Sequence, residues 1–301
     1  MKSAVVLLVS MCVAVIVCLA FVAVPHSPCQ NRQVLHPEWI WCDDFEVDRL
    51  GKYFEYNPSD NQFIRASGKG VNGSVGMRVQ FLPGQVGAGA LHLAFGKTPS
   101  PYFRPVDAGT AMYREIYWQI HLKNQSGRVG GGGNKLARAM VFAGGNWKEA
   151  AIGHIWSGSA PASDQNILLL DPASGTDEEG ILKTTKYNDF ENLRWLGIKP
   201  GATRLFDSSH VGQWYCIEVH MKLNSPEFND GVFEFWINDE LEAHGTNLNW
   251  MGNFAQYGIN ALFIENYWNA GSPVRQERYF DNLIVSTKRI GCSTSNVERA
   301  R

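Results

Sequence analysis

The chain has 301 residues, with 27 Lys+Arg against 29 Asp+Glu and a formal net charge of −2. At 45% hydrophobic and 19% charged residues it is not a disordered chain, and it lacks the basic excess of a protein that grips nucleic acid. Ten Trp, ten Tyr and 16 Phe beside 30 Gly and 13 Pro favour pleated, half-buried strands separated by turns.

Met1-Lys2-Ser3 opens onto an uncharged apolar run from Ala4 to Val24, ended by Pro25. A single Lys before apolar residues is how a secretory signal begins, yet a run of this length also spans a bilayer. Residues 1–28 are read as a signal peptide or a membrane anchor, with cleavage favoured, and 29–301 as one domain. That domain is expected in an extracytoplasmic space, secreted or anchored facing outward, with membrane contact only through the N-terminal segment if it stays uncleaved. Cys29, Cys42, Cys216 and Cys292 follow the run, an even number that points to disulfides with three connectivities open. Cys42 opens the first strand-like segment and Cys292 follows the last one. Antiparallel pairing of those strands would let a Cys42–Cys292 bridge fasten the termini. Asn72-Gly73-Ser74 and Asn124-Gln125-Ser126 are glycosylation sequons.

Strand signals then recur along the chain without repeats or a break in composition. The first set is Gly76 to Leu82, Leu91 to Phe95, Met112 to Leu122, Leu136 to Ala143 and Ala150 to Trp156. Asn166 to Leu170, Trp214 to Leu223, Gly231 to Asn238, Gly258 to Glu265 and Arg278 to Ser286 follow. Many strands separated by turns indicate an all-β sandwich of about 260 residues in place of a βαβ succession.

Period-2 reading of residues 113–122 puts Ile116, Trp118, Ile120 and Leu122 on one face. The other face carries Tyr113, Glu115, Tyr117, Gln119 and His121, groups that suit a sugar surface: aromatic planes stack on pyranose C–H faces, and amides and carboxylates bind hydroxyls. An ordinary solvent-facing side of an antiparallel sheet reads the same way. Several sharper motifs fail. Gly130 to Gly133 with Asn134-Lys135 lacks the ending of a phosphate loop. Glu46-Val47-Asp48 lacks the second glutamate of the jelly-roll glucanases, and no His-Glu-x-x-His or Cys-x-x-Cys occurs.

Trp214 to Glu218, Lys222-Leu-Asn224-Ser-Pro226, Asp230-Gly231 and Phe233 to Asp239 form a strand–turn–strand signature. Tyr279-Phe-Asp281-Asn282-Leu-Ile-Val-Ser286 supplies a closing strand, and Asp43-Asp44-Phe45-Glu46 an opening one. Together they resemble the concanavalin A-like jelly rolls of polysaccharide lyases and related secreted carbohydrate-active proteins. Glu240 stands where that pattern has a turn glycine, which argues against a tight two-residue turn there.

The resemblance implies an exported, polysaccharide-recognising protein that cleaves polyuronates by β-elimination. A non-catalytic carbohydrate-binding or surface adhesion domain on the same fold is the alternative. β-Elimination needs a donor for the uronate carboxylate, a base for the adjacent C–H and an acid for the departing oxygen. Gln119-Ile120-His121 and Tyr267-Trp268-Asn269-Ala270-Gly271 resemble alginate-lyase motifs; the resemblance implies Gln119 as carboxylate donor, His121 as base and Tyr267 as acid. Asn269 departs from that motif, which has a lysine at its place. Lys135, Arg138 and His154 form a second lyase-like set. They share a surface only if a bulge interrupts the strand, since Lys135 and Arg138 otherwise face opposite ways.

Glu115, Tyr117, Tyr187, Arg194, Trp195 and Trp268 are the expected substrate contacts, with Trp147 and Trp250 as further stacking candidates. Tyr187, Asn188, Arg194 and Trp195 belong to a loop from Thr184 to Gly197 placed to flank a glycan groove. Asp171 to Gly180, with four acids, reads as an acidic surface turn, with calcium binding as the alternative. No cofactor is required; the resemblance suggests a structural calcium near Asp44 and Asp281. The partner is a polysaccharide, with acidic glycans to the fore. Without Lys2 the remainder stands at 26 minus 29, or −3, so a polyuronate cleft needs locally gathered cations, and Lys135, Arg138 and Arg194 are the candidates.

Overall fold

The computed structural model describes Ser27, 29–158 and 165–292; the apolar N-terminal run lies outside these residues. In chain order the described strands are β1 (Trp39–Asp43), β2 (Glu55–Asn57), β3 (Phe63–Ala66), β4 (Gly76–Phe81), β5 (Gly87–Ala94) and β6 (Glu115–Asn124). Next come β7 (Lys135–Phe142), β8 (Glu149–Trp156), β9 (Leu169–Ser174), β10 (Arg194–Trp195) and β11 (Lys199–Pro200). The last are β12 (Tyr215–Lys222), β13 (Gly231–Ile237), β14 (Glu240–Leu248), β15 (Ala261–Tyr267) and β16 (Gln276–Ser286).

They build two antiparallel sheets, the jelly-roll sandwich expected. The first runs β14-β13-β12-β6-β16-β4-β3, with β1 also on β16; the second runs β10-β9-β8-β7-β15-β5-β2, with β11 also on β9. Alternation explains the layering. Ile116, Trp118, Ile120 and Leu122 of β6 and Ile217, Val219 and Met221 of β12 meet Leu91, Leu93, Ala139, Val141, Leu262 and Ile264 of the second sheet in one buried core. The sheets close tightly at Gly153 of β8, where a Cβ would sit 2.9 Å from Met221 Sδ and 3.2 Å from the Phe233 ring. Gly153→Val is therefore expected to cost about 1–3 kcal/mol by overpacking. Urea unfolding reads this directly, and an unmoved midpoint would refute the close approach.

The polar strand β14 escapes sequence reading. Glu240, Glu242, His244 and Asn247 crowd an edge strand that buries only Ala243, Gly245 and Leu248, and charged edges are how sheets avoid further pairing. The turn before it corrects the expectation drawn from Glu240. Ile237 pairs directly with Glu240, and Asn238 and Asp239 both take positive φ (50° and 69°), so the turn is a two-residue one without glycine. Cys216 N–H donates to Asn238 Oδ1 and Cys292 N–H to Asp239 Oδ1, both at 3.0 Å, which holds the strained pair in place.

Strand β1 pairs antiparallel with β16, but the bridges are Cys29–Cys42 and Cys216–Cys292, not Cys42–Cys292. Cys42 lies opposite Ile284; the chain then continues beyond β16 and crosses to Cys216 on β12. Two disulfides fit an oxidising, extracytoplasmic setting. Of the sequons, Asn72 is exposed whereas Asn124 is buried.

Candidate functional site

The site grows from one irregularity. Lys135 pairs with Trp156 and Ala137 with Ile155, so β7 advances two residues while β8 advances one. Leu136 and Ala137 both enter the core between the sheets, and the bulge returns Lys135 and Arg138 to the same outer face. The condition set by the sequence is thereby met. Register carries the row onward: Arg138 lies beside His154 on β8 and Phe263 on β15, His154 beside Asp171 on β9, and Phe263 beside His92 on β5.

A cavity of about 250 Å³ opens on this face, lined by Lys135, Arg138, His154, Trp156, Asp171, Phe190, Trp195, Tyr267 and Asn269 together with Ile152. The Lys135 ammonium sits 4.7 Å from the centre of the Tyr267 ring, and His154 stacks on Trp156 at 5.1 Å. Phe190, Trp195 and Tyr267 stay 52%, 51% and 43% exposed, an unusual concentration of open aromatic surface. Phe190 and Trp195 are nearly parallel.

Arg138 is the buried pivot. Its Nε and Nη2 donate to both oxygens of Glu265 at 2.7 Å, Nη1 donates to Asn188 Oδ1 at 2.8 Å, and Nη2 also reaches the Tyr187 hydroxyl. Burial opposes ionisation of Glu265, but the Arg138 and Lys135 cations outweigh it and hold the carboxyl below its ordinary range. Glu149, which accepts the Asn188 N–H at 3.0 Å, is pushed up to about 7 by burial despite the Arg138 charge. Burial, then the charges of Arg138 and Lys135, pull His154 well below the usual histidine value, so it is neutral at pH 7, and its Nε2 has no partner. Burial likewise draws Lys135 down from the usual lysine range.

Burial also raises Asp171 to about 6, against the Trp156 indole N–H donated at 3.1 Å. A carboxyl whose folded value exceeds its ordinary one of about 4 stabilises the fold at low pH and loses that contribution as pH rises through 6. Asp171→Asn is therefore expected to flatten the decline of stability between pH 4 and 7. Urea midpoints across that range test it, and an unchanged slope would refute it.

The trio implied by resemblance does not assemble. Tyr267 ends β15 of the second sheet, whereas Gln119 and His121 lie on β6 of the first, paired with Glu218 and Cys216. There the terminal segment covers the sheet: Ile290 and Gly291 N–H groups donate to Glu218, and the Cys216–Cys292 bridge fastens the chain end. Burial alone lowers His121 to about 4. Glu115 and Tyr117 share that remote sheet; Glu115 contacts His220 Nε2 at 2.8 Å and Tyr117 stacks on the same ring at 4.1 Å.

Other expected contacts divide. Trp195 lines the groove and Tyr187 supports it from behind Arg138, but Arg194 turns away to donate to the Asn249 carbonyl at 3.0 Å. Trp268 and Trp250 are core residues, at 3% and 0% exposure, and Trp147 packs among Phe54, Phe103, Phe142 and Tyr187. Asp171 is a strand residue at the groove and not part of a surface turn.

Asp44 and Asp281, the pair expected beside a calcium, are held by protein donors. Asp44 accepts from Arg49 Nη1 at 3.0 Å and from the Ser27 hydroxyl, while Asp281 Oδ2 takes the Val71 N–H at 2.7 Å and the Ser74 hydroxyl at 3.1 Å. Protein donors thus engage both carboxylates, and Arg49 supplies a countercharge to Asp44. Burial raises Asp281 to about 7. Among the described residues no three His, Cys, Asp or Glu side chains gather as a metal site.

Glu265, Asp171, Phe190 and Trp156 complete the site without having been singled out for it, whereas Asn188 belongs to the loop expected to flank the groove. The one legible signal was the order Lys-Leu-Ala-Arg at 135–138, where two apolar residues between two cations mark a bulge.

No protein-family model matches the chain, and no curated protein matches it by sequence. Its fold is that of solved polysaccharide lyases. The PL-14 alginate lyase from Aplysia kurodai superposes with a TM-score of 0.58 at 12% identity, over 83% of this chain and 99% of that one. An endo-β-1,4-glucuronan lyase from Trichoderma reesei gives 0.55 at 12% identity, over 86% and 98%. An alginate lyase from Chlorella virus gives 0.53 at 13%, over 79% and 94%. At such identities the likeness establishes the jelly roll and leaves the chemistry to the residues.

Proposed function

We propose that this is an exported protein that binds an acidic polysaccharide in the groove of the second sheet and cleaves it by β-elimination. The observation that carries the reading is the meeting of Lys135, His154 and Tyr267 on one open surface beside Phe190 and Trp195. The fold shared with a glucuronan lyase and alginate lyases supports it.

Each task of the elimination has a suitable group. Neutral His154 offers an unpartnered nitrogen that donates to the uronate carboxylate when it carries the proton, and the Asn269 amide lies in the same lining. Lys135, eased toward its free-amine form by burial, takes the proton from the carbon next to that carboxylate. The released electron pair forms the carbon–carbon double bond as the glycosidic C–O bond breaks, and the Tyr267 hydroxyl protonates the departing oxygen. The Lys135 ammonium beside Tyr267 then returns a proton to the phenolate, closing the cycle. Arg138, bound on both edges by Glu265, is a positioning residue. The exposed Phe190 and Trp195 supply stacking planes for the sugar rings.

Incubation with glucuronan, alginate and glycosaminoglycans is expected to raise absorbance at about 235 nm on one of them as the conjugated double bond forms. No rise on any, with retention on an immobilised glycan that falls on Trp195→Ala, would instead establish the non-catalytic binding reading that the Phe190–Trp195 pair also favours.

A further inference from the structure

A second cavity, of about 460 Å³, opens at the rim of the sandwich beside β2, away from the groove. Arg32, Lys52 and Arg104 line it with Trp41, Pro105 and Val106, and no lining residue is acidic. The two guanidiniums are held by neutral groups. Arg32 Nη1 donates to the Trp39 and Ile40 carbonyls at 3.3 and 2.9 Å, and Arg104 Nη2 to those of Tyr53 and Phe54, both at 2.9 Å. Backbone carbonyls fix the position of each guanidinium without cancelling its charge, and each retains further N–H donors. The nearby acids Asp43 and Asp44 are already paired with Arg49 at 3.2 and 3.0 Å.

Two further features mark the cavity as built. Arg104 holds φ at +43°, a conformation a non-glycine residue adopts only when its surroundings impose it. The Arg32 guanidinium also lies 5.7 Å over the Trp41 ring, which fixes its plane at the cavity. Burial and the nearby charge of Arg49 both work against the Arg32 cation, so an anion entering here relieves an existing repulsion.

We propose that this cavity binds an oxyanion, carboxylate or sulfate, carried by a saccharide, as an anchoring point separate from the groove. The saccharide part rests on the acidic-glycan reading above; the anion part does not. Fixed guanidiniums recognise such groups through paired N–H donors, and exposed Lys52 adds a mobile charge at the mouth.

The test is an NMR titration of the full chain at constant ionic strength, with inorganic sulfate in one arm and a glucuronate tetrasaccharide in the other. The Trp41 indole N–H and the amides of 51, 52, 104 and 106 are followed. Saturable shifts with both are expected, at lower concentration for the tetrasaccharide. Lys52→Ala and Arg32→Gln should each weaken both by about tenfold or more. Lys52 is exposed, so its variant keeps the test decisive if Arg32→Gln fails to fold. Lys135→Ala, which removes the proposed base from the groove, should leave the shifts intact, so failure of the lyase reading and failure of this one are told apart. No saturable shift in either arm, or shifts indifferent to Lys52→Ala, would overturn the proposal. Shifts with sulfate alone would overturn its saccharide part and leave a free inorganic anion as the ligand.

Discussion

Lys135→Ala is expected to lower kcat/KM on the cleaved polyuronate by about 10²- to 10⁴-fold, the range for removing a general acid–base group. Binding should weaken far less, because Phe190 and Trp195 remain. Lys135→Arg separates the two tasks open to a cation there. It preserves positive charge but cannot deprotonate, so a base at 135 predicts that Arg is as inactive as Ala, whereas a purely electrostatic role predicts rescue. The pH profile provides a further check. A base must be neutral to act, and burial holds Lys135 below the usual lysine range, so activity should climb with pH and level off below about 10.4. Initial rates from pH 6 to 10, followed by ultraviolet absorbance, decide the matter; an active Lys135→Arg enzyme would remove Lys135 from the base role.

The second large effect concerns stability. Glu265→Ala leaves the Arg138 guanidinium, 2% exposed, without its bidentate partner. Breaking a buried pair in this way costs about 3–5 kcal/mol, because the orphaned charge stays out of water. Replacing both partners by apolar residues of similar volume, Arg138→Met with Glu265→Leu, is expected to recover most of the loss. A double-mutant cycle in urea measures the coupling. A Glu265→Ala loss below about 1 kcal/mol would mean that Tyr187 and Asn188 suffice to hold Arg138.

Much of the fold was readable because alternation is a strong local signal. The strands predicted at 76–82, 136–143, 214–223 and 231–238 match β4, β7, β12 and β13 to within a residue or two at each end. The turn at Asn238-Asp239 was missed because glycine is the usual, not the only, residue that tolerates positive φ. The disulfide partners were missed because pairing of β1 with β16 says nothing of where the chain goes after Ser286. The site divided for a related reason. Tyr267 and Lys135 lie on neighbouring strands of one sheet, but which strands neighbour one another is decided by the order of the whole sandwich. Gln119 and His121 carried the right chemistry on the wrong side of it. Asp171 looked like part of an acidic turn because the four acids after residue 170 conceal that only the first lies within a strand.

The bulge between Lys135 and Ala137 makes the groove a matter of counting. Upstream of Leu136 the strand is in one phase and downstream in the other, and the two cations share a surface only because the phase slips between them. Deleting Leu136 would put Lys135 two residues before Arg138, so plain alternation would keep both cations on the outer face without the bulge and leave every downstream side chain where it is. With Leu136 present, it is the bulge that decides: the same residues run as a regular strand would turn Lys135 into the space between the sheets and leave the face without its reactive amine.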